Sequence, residues 1–273
     1  MTYFEKLEQA AARNRSRLCV GLDPDPERIP HGEIGRYLRE IIAATRDVVC
    51  CYKPNLAFFE ALGPDGIALL REVQNAIPRD VPILADAKRG DIGNTAEAYA
   101  RAIFDTWQFD ATTVNAYGGR DTLEPFLAYA DRGVYVWCRS SNPGAGDFQD
   151  LQVTDQSGEQ RPLYEVVAAR IEQWNVNKNA ALVAGATFPE QIGRLRSLCP
   201  DLPFLLPGVG AQGAALRDAV HAASFTTGGG FIVNASRGVL YASAGPDFAE
   251  AARREAITLR DAIADAERAT VAG

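Results

Sequence analysis

Residues 81–92 read Val-Pro-Ile-Leu-Ala-Asp-Ala-Lys-Arg-Gly-Asp-Ile, a short apolar run that leads into a charged turn. The apolar half is typical of a buried β-strand. Alternate residues of a strand point to the same side, so Asp86 and Lys88 are predicted to share one face, with Cα atoms about 6.6 Å apart. The plain interpretation is an ion pair at a strand end, and the alternative is a functional pair where a buried strand meets a loop.

Eight short apolar runs alternate with amphipathic or alanine-rich segments along the chain. The predicted strands are residues 18–22, 48–52, 83–87, 111–115, 134–138, 181–184, 204–206 and 231–233. The predicted helices lie near residues 34–46, 56–76, 94–107, 121–131, 162–175, 189–198, 212–221 and 247–268. Continuous apolar strands between helices indicate a parallel sheet covered by helices.

Eight such units in about 250 residues predict an α/β fold of the (β/α)8 or TIM-barrel class. We expect residues 1–273 to form a single domain, because no linker or change in composition divides the chain. The alternative is an open, doubly wound sheet. Against it, the first strand is not followed by the Gly-x-Gly-x-x-Gly pattern that this class uses for dinucleotides.

The composition is that of a globular protein, with 273 residues of which 47% are apolar and 23% charged. Its 35 acidic and 28 basic residues give a net charge of −7, which argues against general binding to nucleic acid or to anionic membranes. No run approaches the roughly 18 apolar residues of a membrane span. The first eight residues predict a surface helix and lack the apolar core of an export signal, so we predict a cytoplasmic protein.

The cysteines and histidines do not suggest a metal site. The five cysteines, at positions 19, 50, 51, 138 and 199, lack metal-like spacing and lie mostly in apolar runs, so we predict that they are core residues, Cys50 and Cys51 included. His31 and His221 have no neighbours in the sequence that suggest a metal or a catalytic triad. Acid–base chemistry would therefore fall to lysine, aspartate or glutamate.

Polar residues follow the predicted strands, where a barrel of this class gathers its functional groups on one face. They are Asp23, Lys53, Asp86, Lys88, Asn115, Arg139, Ser140, Ser141 and Thr187. Lys53, Asp86 and Lys88 can approach one another from adjacent strands, and alternating charges favour the ionised form of each neighbour. A lysine kept protonated in this way can donate a proton to a developing carbanion.

Two glycine-containing segments, residues 207–213 and 234–238, follow the last two predicted strands. Glycines leave backbone N–H groups unobstructed, and the N-terminus of a following helix favours an anion. Arg237 adds a forked donor that suits phosphate oxygens. Because phosphate binding by the seventh and eighth loops recurs in these barrels, we predict a phosphate site there.

Residues 142–161 form a long, polar and glycine-containing stretch after the fifth predicted strand. The stretch is predicted to lack regular structure. A loop of this length in a compact domain is usually functional. We therefore predict a lid-like insertion on the active face of the barrel.

Together these residues resemble the orotidine 5'-phosphate decarboxylase family, in its longer bacterial branch, over essentially the whole chain. The matching positions are Asp23, Lys53, the Asp-x-Lys-x-x-Asp signature at 86–91, Thr95, the Ser-x-Pro-Gly segment at 141–144, the Pro-Gly-Val-Gly-Ala-Gln-Gly loop at 207–213, and Arg237. The helices and residues 145–161 match poorly, so no lid contact is carried over from the family.

The resemblance implies decarboxylation of orotidine 5'-phosphate to uridine 5'-phosphate (UMP), the last step of pyrimidine nucleotide synthesis, without a metal or an organic cofactor. It implies that Lys88 protonates C6 as carbon dioxide leaves and that Asp86 lies beside the departing carboxylate. Lys53 would hold Asp86 and the ribose. Like-charge repulsion between Asp86 and the substrate carboxylate would raise the free energy of the ground state.

The resemblance also implies the substrate contacts and the assembly. The implied binding residues are Asp23 for the ribose, Ser141 and Pro143 on the pyrimidine side, and Gln212 and Arg237 for the phosphate. Asp91, as a catalytic residue, and Thr95 would reach into the site of a neighbouring subunit. This arrangement requires a homodimer.

Two other functions stay open at the level of sequence. A sugar-phosphate lyase or synthase of the same superfamily shares Asp-x-Lys-x-x-Asp but usually needs Mg²⁺, so metal dependence discriminates it. A non-catalytic nucleotide-binding barrel would be expected to lose part of the set Lys53, Asp86, Lys88 and Asp91. All four residues are present.

Overall fold

Ten strands are present in the computed structural model, which describes residues 1–29, 33–154, 158–208, 214–224 and 230–271. They are β1 Leu18–Gly21, β2 Cys51–Lys53, β3 Leu84–Arg89, β4 Ala111–Asn115, β5 Gly133–Arg139, β6 Gln152–Thr154, β7 Gln160–Pro162, β8 Ala180–Ala184, β9 Phe204–Leu206 and β10 Phe231–Ala235. Strands β6 and β7 form a separate antiparallel hairpin. Each of the other eight overlaps one of the predicted apolar runs.

The eight parallel strands close into a barrel. Neighbouring strands follow the order β2-β1-β10-β9-β8-β5-β4-β3. Two isolated parallel bridges, Tyr52 to Ile83 and Asn55 to Asp86, join the end strands β2 and β3. The predicted (β/α)8 barrel is therefore confirmed, and the open doubly wound alternative is wrong.

Twelve α-helices lie in the described part of the chain. They are α1 Tyr3–Asn14, α2 Ile34–Thr45, α3 Leu56–Glu60, α4 Gly63–Ala76, α5 Gly93–Arg101, α6 Arg120–Leu127, α7 Gly146–Gln149, α8 Leu163–Trp174, α9 Pro189–Leu198, α10 Ala214–Ala223, α11 Arg237–Leu240 and α12 Phe248–Val271. The prediction of a single helix over 56–76 is wrong, because the structure has two helices there, α3 and α4. The helix is interrupted at Gly63, whose φ of +68° is left-handed. Across the described ranges, no helix is both long and apolar enough to cross a membrane.

The insertion at 142–161 contains regular structure that the sequence did not predict. It comprises a 3₁₀ turn at Pro143–Ala145, helix α7, and the hairpin of β6 and β7; residues 155–157 lie outside the described part of the chain. The hairpin strands have three residues each. Elements this short carry too few residues for a periodic pattern to be recognised.

Helix α1 closes the end of the barrel where the strands begin. Its N-terminus is fixed by a capping box, in which the Thr2 hydroxyl accepts from Glu5 N–H and the Glu5 carboxylate accepts from Thr2 N–H. One face of this predicted surface helix is buried. Tyr3 and Leu7 pack there against inward side chains of the strands, and the hydroxyl oxygens of Tyr3 and Tyr135 lie 3.1 Å apart.

The cysteines confirm their predicted place in the core. All five are buried and free. Cys19, Cys50 and Cys51 belong to the cluster beneath α1. Burial is the largest influence on the Cys50 thiol, and it holds the pKa well above the ordinary value. Such a thiol has little of the thiolate character that reactivity requires.

A buried arginine ties together the segments around strands β9 and β10. Arg196 has no exposed surface, and burial lowers its pKa to about 10. Its guanidinium stacks on Phe204, 3.8 Å from the ring centroid. It donates to backbone carbonyl oxygens of Cys199, Pro200, Leu202, Ala223 and Gly230. Because its planar guanidinium donates to carbonyls of separate segments, Arg196 holds these segments together.

We expect Arg196→Lys to lower the free energy of unfolding by about 3 kcal/mol, since a single ammonium leaves several buried carbonyls without donors. Urea denaturation measures the change. The control is Arg254→Lys, at a side chain that is 66% exposed, which should shift the value by less than about 0.5 kcal/mol. Equal effects of the two substitutions would contradict the structural role of Arg196.

Candidate active site

The predicted charge cluster forms at the mouth of the barrel. Lys53 Nζ donates to Asp86 Oδ2 at 2.8 Å, and Lys88 Nζ donates to Asp86 Oδ1 at 2.6 Å. The side chains of Lys53 and Asp86 are 4% and 11% exposed, whereas that of Lys88 is 40% exposed. One carboxylate is thus held between two ammonium groups, and Lys88 is the one with access to solvent.

Charge pairing outweighs burial in this cluster. Burial by itself raises the pKa of Asp86, but the charges of Lys53 and Lys88 and their hydrogen bonds hold that pKa well below its usual range. Burial likewise lowers the pKa of Lys53, and the charges of Asp86 and Asp23 reverse the effect and hold it above the usual value. Asp86 and Lys53 are therefore both ionised at neutral pH.

The backbone that carries Asp86 and Lys88 differs from the regular strand predicted from the sequence. The pairing of β3 with β4 shifts between Ala85 and Arg89. Lys88 has a φ of +43°, in the left-handed region that a lysine rarely adopts. The prediction that the two side chains meet is confirmed, but an irregular, bulged strand brings them together.

A cavity of about 230 Å³ is lined in part by the charge cluster. Its lining residues are Lys53, Asp86, Lys88, Thr113, Trp137, Ser140, Ser141, Asn142, Val183, Leu205 and Pro207. Charged and hydroxyl groups thus share the cavity with the apolar surfaces of Trp137, Val183 and Leu205. Such a mixture suits a flat ring that carries an anionic substituent.

A second cavity, of about 330 Å³, lies at the ends of strands β1 and β10. Asp23, Asn234, Ser236, Arg237 and Tyr241 are among its lining residues. Gly208 also lines it and lies so close to the first cavity that a Cβ there would be 2.9 Å from Ser141 Oγ. Ser141, predicted for the pyrimidine side, and Arg237, predicted for the phosphate, therefore line neighbouring cavities.

Tyr241 joins the loop that carries Asp23 to the helix that carries Arg237. Its hydroxyl donates to the carbonyl oxygen of Asp23 at 3.1 Å and accepts from the backbone N–H of Asp25 at 2.7 Å. Sequence reasoning missed Tyr241. Its place four residues after Arg237, one helical turn away, was the signal that could have found it.

Arg139 was expected among the functional groups at the mouth of the barrel, but its side chain points to the insertion instead. Its side chain is 3% exposed and turns to the insertion, where it donates to Gln149 Oε1 at 3.1 Å and to Asp150 Oδ2 at 3.2 Å. It also donates to Gln191 Oε1 at 2.6 Å. Gln149 Oε1 accepts in addition from the backbone N–H of Ser140 at 2.9 Å. Arg139 thus fixes the insertion to the barrel beside Ser140.

Asp91 and Thr95 follow the charge cluster along the chain but line neither of the two cavities. Asp91 Oδ1 accepts from the backbone N–H of Ile92 at 2.8 Å. Among the described residues, no hydrogen bond or ion pair joins Asp91 to Lys88. Thr95 is exposed, and the neighbouring Ile92 is 65% exposed.

The remaining predicted site residues lie at the edges of this arrangement or beyond the described part of the chain. Gln212 and most of the glycine-containing loop at 207–213 lie outside the described residues, as does His31. Pro143 is exposed at the start of the insertion. Within the described ranges, no three His, Cys, Asp or Glu side chains group as metal ligands.

The charge cluster predicts a pH dependence of stability. Because the pKa of folded Asp86 lies below its ordinary value of 3.8, the ion pairs contribute fully above that pH and are lost as the pH falls below it. Asp86→Asn removes this contribution. The wild type should therefore exceed the variant in free energy of unfolding by its full margin near pH 5. The margin should shrink towards pH 3, by up to about 1.4 kcal/mol per pH unit.

Urea denaturation of both proteins from pH 3 to 8 measures this margin. Acid effects of the other carboxylates are common to both proteins and cancel in the difference. A margin that stays constant down to pH 3 would contradict the pairing of Asp86 with the two lysines.

Comparisons with known proteins agree with this geometry. Residues 16–254 match the family model described as Orotidine 5'-phosphate decarboxylase / HUMPS family. The chain is 50% identical over 264 residues to an orotidine 5'-phosphate decarboxylase of Dehalococcoides mccartyi, covering 96% of this chain and 97% of the relative. It is also 50% identical over 276 residues to the enzyme of that name from Roseiflexus castenholzii, covering 98% and 100%.

A solved structure gives the same relationship in three dimensions. The structure of Leishmania donovani OMP decarboxylase superposes with a TM-score of 0.85 at 39% identity, covering 98% of this chain and 99% of that chain. The family match spans most of the chain, and the charged mouth of the barrel brings together three of the motif residues on which the resemblance rested, Lys53, Asp86 and Lys88. The chain therefore belongs to the orotidine 5'-phosphate decarboxylase / HUMPS family.

Proposed function

We propose that the protein decarboxylates orotidine 5'-phosphate to UMP and carbon dioxide, the last step of pyrimidine nucleotide synthesis. The observation that carries the proposal is the charged cluster of Lys53, Asp86 and Lys88 on the wall of a cavity of about 230 Å³ that also has apolar walls. The names of the relatives support the same reaction, since they share half of their residues with this chain over nearly its full length.

The reaction needs a cation beside one carbon atom of the ring. When the bond from C6 to the carboxylate breaks, its electron pair stays on C6 as a carbanion that the ring delocalises poorly. An ammonium fixed next to that carbon stabilises the developing charge in a site that excludes water. The ammonium then gives one proton to C6, carbon dioxide leaves, and the neutral amine regains a proton from solvent.

Lys88 is better placed than Lys53 to be this proton donor. Both lysines line the cavity, but the Lys53 side chain is only 4% exposed, whereas that of Lys88 is 40% exposed. A proton donor must be recharged from water after each turnover, which favours Lys88. Lys53 would keep Asp86 ionised and hold the ribose, and Asp86 would lie beside the substrate carboxylate.

The two neighbouring cavities suggest how the rest of the substrate binds. Ser141 and Pro143 would contact the pyrimidine side, and Asp23 would bind the ribose hydroxyls. Arg237 would bind the phosphate together with Gln212. Among the described residues, no carboxylate forms an ion pair with Arg237, so its guanidinium is open to an anion. We also propose that the insertion at 142–161 closes over the bound substrate as a lid, and that the chain acts as one domain in the cytoplasm.

Ultraviolet-monitored turnover tests the reaction and its proton donor together. Wild-type protein with a chelator present should convert orotidine 5'-phosphate to UMP. Lys88→Ala should lower kcat by at least about 1,000-fold, because it removes both the stabilising charge and the proton. Near-full activity of the variant would exclude Lys88 as the donor.

The matched control is Lys178→Ala. Lys178 also has a positive φ, of +53°, and is exposed, so the substitution repeats the loss of a cation and the backbone strain away from the cavities. Its kcat should be unchanged. No conversion of orotidine 5'-phosphate by folded wild-type protein, together with Mg²⁺-dependent turnover of a sugar phosphate, would instead favour the chemistry of related barrels.

We further propose that two copies of the chain form a homodimer in which Asp91 and Thr95 complete the site of the other copy. In the described part of the chain, neither residue lines either of the two active-site cavities, which leaves both available to a neighbour. The exposed apolar side chains of Ile92 and Tyr117, 65% and 86% exposed, lie on the loops that follow the adjacent strands β3 and β4. A second copy would cover this surface.

Mixing two inactive variants tests action across the interface. In a dimer of Lys88→Ala with Asp91→Ala, one site lacks both residues and the other keeps both. Subunit exchange should therefore restore about a quarter of wild-type activity, since half of the dimers are mixed and each has one intact site. The control pair, Lys88→Ala with Asp86→Ala, has no intact site in any dimer. No recovery from demonstrably mixed dimers would show that Asp91 acts within its own chain.

A further inference from the structure

Thr113 of strand β4 makes contacts with both functional residues of strand β3. Its Oγ1 donates to Asp86 Oδ1 at 2.9 Å. The same oxygen accepts the backbone N–H of Lys88 at 2.9 Å. Thr113 is 2% exposed and lines the same cavity as the charge cluster. One buried hydroxyl therefore joins the side chain of Asp86 to the main chain of Lys88.

The direction of these two hydrogen bonds is fixed by the chemistry of the groups. An ionised carboxylate can only accept, and a backbone N–H can only donate. The single hydroxyl proton of Thr113 must therefore point to Asp86, and a lone pair must face Lys88. Because neither bond can reverse, the hydroxyl holds one orientation and fixes the distance between the two groups.

The irregular pairing of β3 with β4 explains why a side chain is needed here. Ala85 pairs with Thr112, and Arg89 pairs with Val114. Residues 86–88 of β3 thus lie opposite Thr113 alone. Such a bulge removes backbone partners, and a partly buried N–H that loses its partner costs free energy. The Thr113 hydroxyl supplies the partner that the regular ladder would have given to Lys88.

The same contact supports the unusual backbone of Lys88. Its φ of +43° is left-handed, a conformation that persists in a residue other than glycine only when its surroundings enforce it. This conformation turns the Lys88 side chain back to Asp86, where Nζ lies 2.6 Å from Oδ1. Since Thr113 holds the Lys88 N–H, it bears directly on where that ammonium is placed.

We propose that Thr113 is a positioning residue for the decarboxylation, whose hydroxyl holds Asp86 and the Lys88 backbone in the arrangement that the reaction needs. The inference rests on the proposed function. Thr113 acts through Asp86 and Lys88 and need not touch the reacting carbon. Its effect should therefore fall on the rate of the chemical step more than on substrate binding.

The adjacent Thr112 provides a matched control. It is fully buried on the same strand, and its Oγ1 donates to the carbonyl oxygen of Ala85 at 3.2 Å. Thr112 lines neither cavity. Replacing either threonine by valine exchanges one hydroxyl for one methyl group at the same depth, so a general loss of stability should appear in both variants.

The test compares kcat and KM of the wild type, Thr113→Val, Thr113→Ser and Thr112→Val. We expect Thr113→Val to lower kcat by about 10- to 100-fold, as for loss of a hydrogen bond to a charged group, and to change KM by less than about threefold. Thr113→Ser keeps the hydroxyl and should retain kcat within about threefold. Thr112→Val should keep wild-type kcat. If Thr113→Val does not fold, Thr113→Ala removes the same hydroxyl without adding a methyl group.

The outcomes separate this inference from the proposed function. An active wild type with an equally active Thr113→Val would overturn the role of Thr113 and leave the proposed reaction standing. Equal loss of kcat in Thr113→Val and Thr112→Val, or no rescue by serine, would also overturn it, because a general packing defect would then explain the result. A folded wild-type protein without turnover would overturn the proposed function and this inference with it.

Discussion

The buried carboxylate of Asp86 is the group on which the mouth of the barrel depends. A buried charge is tolerated only when it is paired and its oxygens are hydrogen-bonded. Lys53, Lys88 and Thr113 supply these partners. The cluster carries two positive charges and one negative charge, so it can accept the anionic substituent of a substrate while keeping a proton donor at the same point.

The two ends of the barrel have different tasks. At the start of the strands, α1 covers an apolar cluster and Arg196 satisfies the carbonyls of neighbouring segments. These contacts stabilise the barrel and do not form part of either cavity. The rigid strands they support can then place charged side chains at the other end, where fixed positions matter more for catalysis than local stability.

Much of the fold could be predicted from the sequence, because buried parallel strands are short apolar runs and eight of them alternate with helices. The residues at the strand ends followed from that topology. The bulge at residues 86–88 could not be predicted, since the spacing of Asp86 and Lys88 is the same in a regular strand. The position of Thr113 in the site could have been predicted, because Thr113 is two residues before Asn115 on β4 and so lies on the same face of the strand. The direction of the Arg139 side chain could not be predicted, because it depends on tertiary contacts with the insertion.

In the proposed reaction, an ammonium held by Asp86 lies against C6 of the pyrimidine ring. A crystal structure of the protein with bound UMP tests it most directly. We expect Lys88 Nζ within about 3.5 Å of C6, with Asp86 still paired to both lysines and the phosphate against Arg237. A pyrimidine ring bound with Lys88 Nζ turned away from C6, or with Asp86 separated from the lysines, would contradict the account.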